Sequence, residues 1–148
     1  MSWRATLPIR LLRRRTGSEP GAHGFGRKER HASNGNWTMT DIFSHAGAKA
    51  WEPTPDGNRR RVLVHTDELM MVEFAFEKGG VGVLHSHPHV QASYVAEGRF
   101  EVTIDGRSEI LETGSSFIVP SNLVHGVKAL EAGRLVDSFA PYRADFLG

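Results

Sequence analysis

The sequence predicts an all-β protein, built as a single-domain jelly roll or a related double-sheet barrel. Three observations predict this fold. From residue 61 onward, short runs rich in β-branched and aromatic residues are separated by turn signals about every eight to twelve residues. No segment in this part of the chain keeps a helical period. Phe100, Val102 and Ile104 alternate with polar residues, as a strand with one buried face requires.

Nine segments share this character and are predicted as strands. They are residues 61–66, 69–76, 81–87, 91–96, 99–104, 108–111, 116–119, 124–129 and 134–139. The dipeptide Asp105-Gly106 tolerates the positive φ angles that a two-residue hairpin turn needs. We therefore predict a hairpin over residues 99–111, and the regular spacing of the other segments fits a jelly roll.

Length and composition exclude several classes of protein. A chain of 148 residues provides one ordinary core. The absence of cysteine excludes a disulfide framework, a thiolate metal site and a cysteine nucleophile. No apolar run approaches the roughly 18 residues that a membrane-spanning helix needs. Any metal ligands must therefore come from the eight histidines, from carboxylates or from amides.

The first 38 residues differ from the rest of the chain in charge. They hold eight Arg or Lys against two Glu, a net charge of +6, whereas residues 39–148 hold ten basic and fifteen acidic residues, a net charge of −5. Gly and Pro interrupt this segment, so we expect a basic, disordered extension over 1–38 and one domain over 39–148. Its origin is open: a start codon assigned upstream of Met39, an organelle transit peptide, or an electrostatic arm for nucleic acid.

The same patterns lead to expectations about location and partners. No apolar stretch of about 7 to 15 residues follows the N-terminal charges, so we expect a cytoplasmic protein without a membrane partner. No helix-turn-helix pattern accompanies the basic segment, and we expect no nucleic-acid partner. Because a barrel this small exposes edge strands, we expect a homodimer.

Three of the eight histidines lie in one short segment. His85, His87, His89 and Gln91 share one parity, so on an extended chain their side chains project to the same face. Pro88 interrupts the ladder, which leaves this argument firm only for His85 and His87 as two ligands on one strand. His89 could instead position a ligand or contact a substrate.

The spacing around these residues resembles the two signatures of the cupin superfamily. Gly79, His85, His87, Gln91 and Gly98 follow the first signature, with glutamine where glutamate is usual. The second is matched by a shorter set, Gly114, Pro120 and His125, with Asn122 and Ala129 departing from its usual glycine and asparagine.

The resemblance implies a β-barrel of six or more strands with one divalent metal held by His85, His87, Gln91 and His125. Imidazole nitrogen and carbonyl oxygen suit borderline ions such as Ni²⁺, Zn²⁺, Mn²⁺ or Fe²⁺. Since all four of these ligands are uncharged, the metal would keep its double positive charge and attract anions.

Two further runs are similar to the small KdgF-type cupins of pectin and alginate breakdown. One is His85-Ser86-His87-Pro88-His89 with its continuation to Glu101, and the other runs from Asp137 to Leu147. The resemblance implies a metal-dependent isomerase that converts ring-form 4,5-unsaturated monouronates into the linear 4-deoxy-5-keto uronate. Whether the pectin- or the alginate-derived uronate is preferred is left open.

By position, the resemblance places Asp137, Phe139 and Arg143 in the active site. Asp137 is the candidate for proton transfer, and Arg143 suits the substrate carboxylate because its planar fork can pair with both oxygens. An arginine of the run 59–61 could assist. The plainer alternatives are a solvated carboxylate at a strand end, core packing for Phe139, and a surface salt bridge for Arg143.

Two other functions share the histidine pattern. An Fe²⁺-dependent dioxygenase would use the same signature, although such cupins more often keep the acidic ligand. A non-catalytic sugar-binding or sensing cupin would bind the uronate without converting it.

Overall fold

Ten β-strands form the body of the protein in the computed structural model, which describes residues 42–148. In chain order they are β1 (Glu52–Pro53), β2 (Arg59–His65), β3 (Met70–Phe76), β4 (Val81–His85), β5 (Val90–Glu97), β6 (Arg99–Ile104), β7 (Arg107–Glu112), β8 (Ser116–Val119), β9 (His125–Ala129) and β10 (Gly133–Ala140). A short 3₁₀ helix (Ala144–Phe146) follows β10. The predicted extension over 1–38 lies outside the described residues.

The strands form two antiparallel sheets. One has the order β1-β2-β3-β10-β5-β8, and the other has the order β4-β9-β6-β7. Buried side chains from both sheets pack together, among them Val95 and Leu135 from the first and Phe100 and Val102 from the second. The core therefore lies between the sheets, which confirms the predicted double-sheet fold. Among the described residues, no helix is long and apolar enough to span a membrane.

Most predicted strands agree with the structure to within two residues at each end. The hairpin is confirmed: β6 pairs with β7, and Asp105 and Gly106 between them have φ angles of 49° and 76°. Positive φ at both turn positions is the conformation that the sequence pair favours. The two-residue strand β1 was not predicted from the sequence, since so short a segment has no measurable period.

The predicted strand over 81–87 is too long, because β4 ends at His85. Its neighbour β9 begins at His125, directly opposite His85, so the chain beyond His85 has no strand to pair with. The expectation that His85 and His87 lie on one strand is therefore wrong. His87 belongs to the connection between β4 and β5.

Phe100 is a core side chain whose contribution to stability can be measured. Phe100 is completely buried and packs edge-on against Phe76, with ring centroids 5.4 Å apart. We expect Phe100→Ala to lower the free energy of unfolding by about 3–5 kcal/mol, because it removes apolar contacts and leaves a cavity. Chemical denaturation measures this change. Ile110→Ala on the exposed face of β7, where the side chain is 63% exposed, is the control and should cost less than about 1 kcal/mol. Equal losses in the two variants would contradict the assignment of the core.

Candidate metal centre

Three histidines converge where β4 and β9 meet. His85 ends β4 and His125 begins β9 opposite it, while His87 reaches the same point from the β4–β5 connection. One ring nitrogen of each lies within 4.8 Å of the others. The ring centroids of His85 and His125 are 4.4 Å apart, and those of His87 and His125 are 4.9 Å apart. This spacing allows all three nitrogens to bind one ion.

Backbone carbonyls orient each ring through its other nitrogen. Nδ1 of His85 lies 2.8 Å from the Val83 carbonyl oxygen, and Nδ1 of His125 lies 2.9 Å from that of Leu123. Nδ1 of His87 lies 3.0 Å from the carbonyl oxygen of residue 89. Since a carbonyl can only accept a hydrogen bond, the Nδ1 atoms must carry the protons. In the neutral form of each ring, Nε2 then carries a free lone pair.

Gln91 adds a fourth lone-pair donor. Its amide Nε2 donates to the hydroxyl of Ser93 and to Oδ2 of Asp137, both at 3.0 Å, which fixes the orientation of the amide. Its Oε1 then lies 3.1 Å from Nε2 of His87 and 3.2 Å from Nε2 of His125. In this arrangement no proton lies between these atoms, because both sides of each contact are acceptors.

Burial and a neighbouring positive charge disfavour the protonated form of the His87 and His125 rings. Burial lowers the pKa of both His87 and His125, and the nearby charge of Arg143 lowers both further. Lone pairs that face one another in a buried site are unfavourable unless a cation lies between them. The donor set therefore fits a metal ion, and its chemistry is that of imidazole and amide oxygen.

Asp137 lies beside this cluster on β10. It is opposite Ser93 of β5 and is buried, so the alternative of a solvated carboxylate does not apply. Burial raises the pKa of Asp137 to about 7. Its Oδ2 accepts the hydrogen bond from Gln91, whereas its Oδ1 is buried without a hydrogen-bond partner. A carboxyl group whose pKa is near 7, with one oxygen free of hydrogen bonds, is suited to proton transfer.

Phe139 and Arg143 lie on the same side of the site. The Phe139 ring packs edge-on against His87, with centroids 5.7 Å apart, and also belongs to a core cluster with Met70 and Val72. The Arg143 guanidinium lies 5.5 Å from the centre of the Phe139 ring. Its Nε and Nη2 donate to the two carboxylate oxygens of Asp145 at 2.9 and 2.7 Å. Arg143 thus forms a salt bridge, as the plainer alternative expected, but its side chain is largely buried and does not lie on the surface.

A cavity of about 270 Å³ joins these groups. The predicted site residues on its wall are His85, Gln91, His125, Asp137, Phe139 and Arg143. Small-molecule pockets usually measure about 300–1,000 Å³, so this cavity suits a ligand of monosaccharide size.

The structure thus brings together all seven predicted site residues. His89 is not part of the nitrogen cluster. Its backbone carbonyl instead lies 3.0 Å from Nδ1 of His87 and orients that ring. Sequence reasoning missed Ser93, Asp145 and Phe146. Parity with Gln91 on β5 was a usable signal for Ser93, but the contacts of Asp145 and Phe146 depend on how the chain folds after β10.

A double-sheet barrel with inward histidines from β4, its following loop and β9 defines the protein as a cupin, and the Cupin domain family matches residues 72–139. The Pectin degradation protein KdgF of Dickeya dadantii (strain 3937) is 48% identical over 99 residues, covering 66% of this chain and 90% of that protein. The chain belongs to the KdgF family of cupins.

Solved structures agree with this assignment. KdgF from Halomonas sp. is 38% identical with a TM-score of 0.68, and the match covers 71% of this chain and 97% of that one. An RmlC-like cupin from Shewanella frigidimarina NCIMB 400 is 41% identical with a TM-score of 0.69, covering 71% and 95% of the two chains.

Proposed function

We propose that this protein is a metal-dependent isomerase that converts 4,5-unsaturated monouronates, left by lysis of pectin or alginate, into the linear 4-deoxy-5-keto uronate. The similarity to a pectin degradation protein supports the substrate class. The observation that carries the proposal is the juxtaposition of four lone-pair donors with the uncommitted Oδ1 of Asp137.

The metal ligands in this proposal are His85, His87, Gln91 and His125. The cofactor is a divalent ion, with nickel, zinc, manganese and iron as the candidates. When bound, such an ion supplies Lewis acidity that polarises a sugar hydroxyl. The ligands themselves are neutral, and Gln91 keeps its oxygen directed at the site because Asp137 and Ser93 hold its amide nitrogen.

The reaction moves one proton and opens the ring without changing the composition of the sugar. The anomeric hydroxyl loses its proton, the O–H electron pair forms the aldehyde C=O, and the bond from C1 to the ring oxygen breaks. The electrons of that bond stay on the oxygen at C5 as an enolate. This oxygen then forms the C5=O ketone, while the electrons of the C4=C5 double bond take up a proton at C4. Oδ1 of Asp137 is the protein atom assigned to proton transfer, since it is uncommitted and its pKa is near neutrality.

Phe139 and Arg143 orient the substrate in this proposal. Arg143 keeps donors that are not used by Asp145, and its charge acts on His87 and His125, which places it near the metal ligands. A carboxylate bound there holds the ring against the Phe139 face. Such positioning is the usual way in which binding energy lowers a unimolecular barrier.

We extend the proposal to the assembly and location of the protein. The order of the sheets leaves β1, β8, β4 and β7 as edges of the described part of the chain. Ile118 on β8 is largely exposed. Such edges favour pairing with a second copy, so the proposed enzyme is a homodimer. The proposal also places the enzyme in the cytoplasm and the start of its domain near residue 39.

A spectrophotometric assay tests the function. We expect the metal-loaded protein to accelerate the loss of ultraviolet absorbance of unsaturated galacturonate or of its alginate-derived counterpart, and a chelator to remove that activity. The reaction should proceed equally without oxygen. Binding of the uronate without turnover would instead support a sugar-binding cupin, and an oxygen requirement would support a dioxygenase.

A further inference from the structure

Three described arginines have side chains that are four-fifths or more buried. These are Arg60, Arg61 and Arg143, with side chains 20%, 19% and 13% exposed. Arg61 is hydrogen-bonded to Glu73, as Arg143 is to Asp145. A buried guanidinium normally has such a partner, because an unpaired charge away from water is costly.

Arg60 has no hydrogen-bonded carboxylate among residues 42–148, and its ion pair with Glu52 is long. Its Nε is buried and makes no hydrogen bond. The nearest carboxylate, that of Glu52, lies 3.9 Å from this nitrogen and is mostly exposed, which is too far for a hydrogen bond. Arg60 is thus a largely buried cation without a hydrogen-bonded anion.

Strand parity directs Arg60 into the cavity. It lies opposite Phe74 on β3, and both residues line the cavity wall. Its neighbour Arg61 lies opposite Glu73 and therefore faces the other side of the sheet, as Arg59 does by the same alternation. Of the three consecutive arginines, the structure thus directs one to the site.

Phe146 holds Arg60 near Arg143. The Arg60 guanidinium carbon lies 4.0 Å from the centre of the Phe146 ring, and that of Arg143 lies 4.2 Å from the same point. The two guanidinium carbons are therefore no more than about 8 Å apart. Because Asp145 occupies only one edge of Arg143, Arg60 provides a second guanidinium beside the donors that Arg143 keeps free at this end of the cavity.

We propose that Arg60 is a specificity-determining residue that binds the carboxylate of the uronate together with the free donors of Arg143. The inference rests on the proposed function for the identity of the substrate, but a largely buried cation without a hydrogen-bonded carboxylate in the cavity wall supports an anionic ligand independently of turnover. Arg60 then selects uronates over neutral sugars of the same shape.

Two readouts test this role with Arg60→Gln and Arg60→Lys. We expect Arg60→Gln to raise KM for the unsaturated monouronate about 10- to 100-fold with kcat changed less than threefold, because it removes a charge-assisted hydrogen bond from binding. The wild type should prefer the acid over its neutral methyl ester, and Arg60→Gln should weaken that preference. Arg60→Lys keeps the positive charge but not the planar guanidinium, so its KM should lie between those of the wild type and Arg60→Gln. Arg59→Gln is the matched control and should change KM less than twofold.

Calorimetric titration with saturated galacturonate separates this inference from the proposed function. We expect the metal-loaded wild type to bind it, and Arg60→Gln to bind it at least tenfold more weakly, whether or not the protein turns over the unsaturated sugar. Absence of turnover with this binding difference intact would reject the isomerase and keep the carboxylate site. Equal affinity of wild type and Arg60→Gln, with both variants folded by circular dichroism, would overturn the role of Arg60.

Discussion

Replacing His125 with alanine is expected to remove metal and activity together. His125 is buried and supplies a nitrogen within 4.8 Å of those of His85 and His87. Changes to residues that merely support metal ligands cost about 10- to 100-fold in affinity, so loss of a ligand should cost more than about 100-fold. This result is checked by measuring metal content after dialysis, by inductively coupled plasma mass spectrometry, and turnover on the same samples. His85→Ala and His87→Ala should behave in the same way.

His89→Ala is the matched control for the metal measurement. Its imidazole is outside the nitrogen cluster, and the backbone carbonyl that orients His87 remains in the variant. We expect this variant to keep stoichiometric metal. If all three variants at His85, His87 and His125 also kept stoichiometric metal, the proposed ligand set would be contradicted.

The proposed ligands could be named from the sequence because their spacing resembles the two cupin signatures. His85 and Gln91 are close in sequence, and the antiparallel pairing of β4 with β9 needs only one contact, that of His85 with His125, to complete the cluster. Alternation along β10 likewise directs Asp137 and Phe139 to the same face. Strand parity therefore accounts for Asp137 and Phe139, whereas His87 reaches the cluster from the β4–β5 connection and was located by its spacing in the cupin signature.

Other features depend on long-range packing and could not be predicted. The end of β4 is set by where β9 begins, which no local pattern reports. The choice among the arginines at 59–61 requires the register of β2 on β3, including the irregularity between Val62 and Val64. The ring of Phe146 meets Arg60 and Arg143 only after the chain turns beyond β10. These contacts join residues that are far apart in sequence.

Asp137→Asn is expected to lower kcat by about 10² to 10⁴ while the protein keeps its metal. Asparagine has the shape of aspartate, and its carbonyl oxygen can still accept the hydrogen bond from Gln91 that Oδ2 accepts in the native protein. The amide that replaces Oδ1 cannot take up a proton at the cavity wall. Steady-state kinetics on the unsaturated monouronate, with metal content measured on the same samples, checks this result.

Ser93→Ala separates proton transfer from positioning in this experiment. Ser93 accepts the other hydrogen bond from the Gln91 amide at the same 3.0 Å distance, but it carries no carboxyl group. If Asp137 acts only by orienting Gln91, the two variants should lose similar amounts of metal and activity. If Asp137 transfers the proton, Ser93→Ala should stay within about tenfold of the wild type while Asp137→Asn falls by the larger factor with its metal retained. Loss of metal from Asp137→Asn in proportion to its lost activity would contradict the proton-transfer role, because the metal ligands alone would then account for the defect.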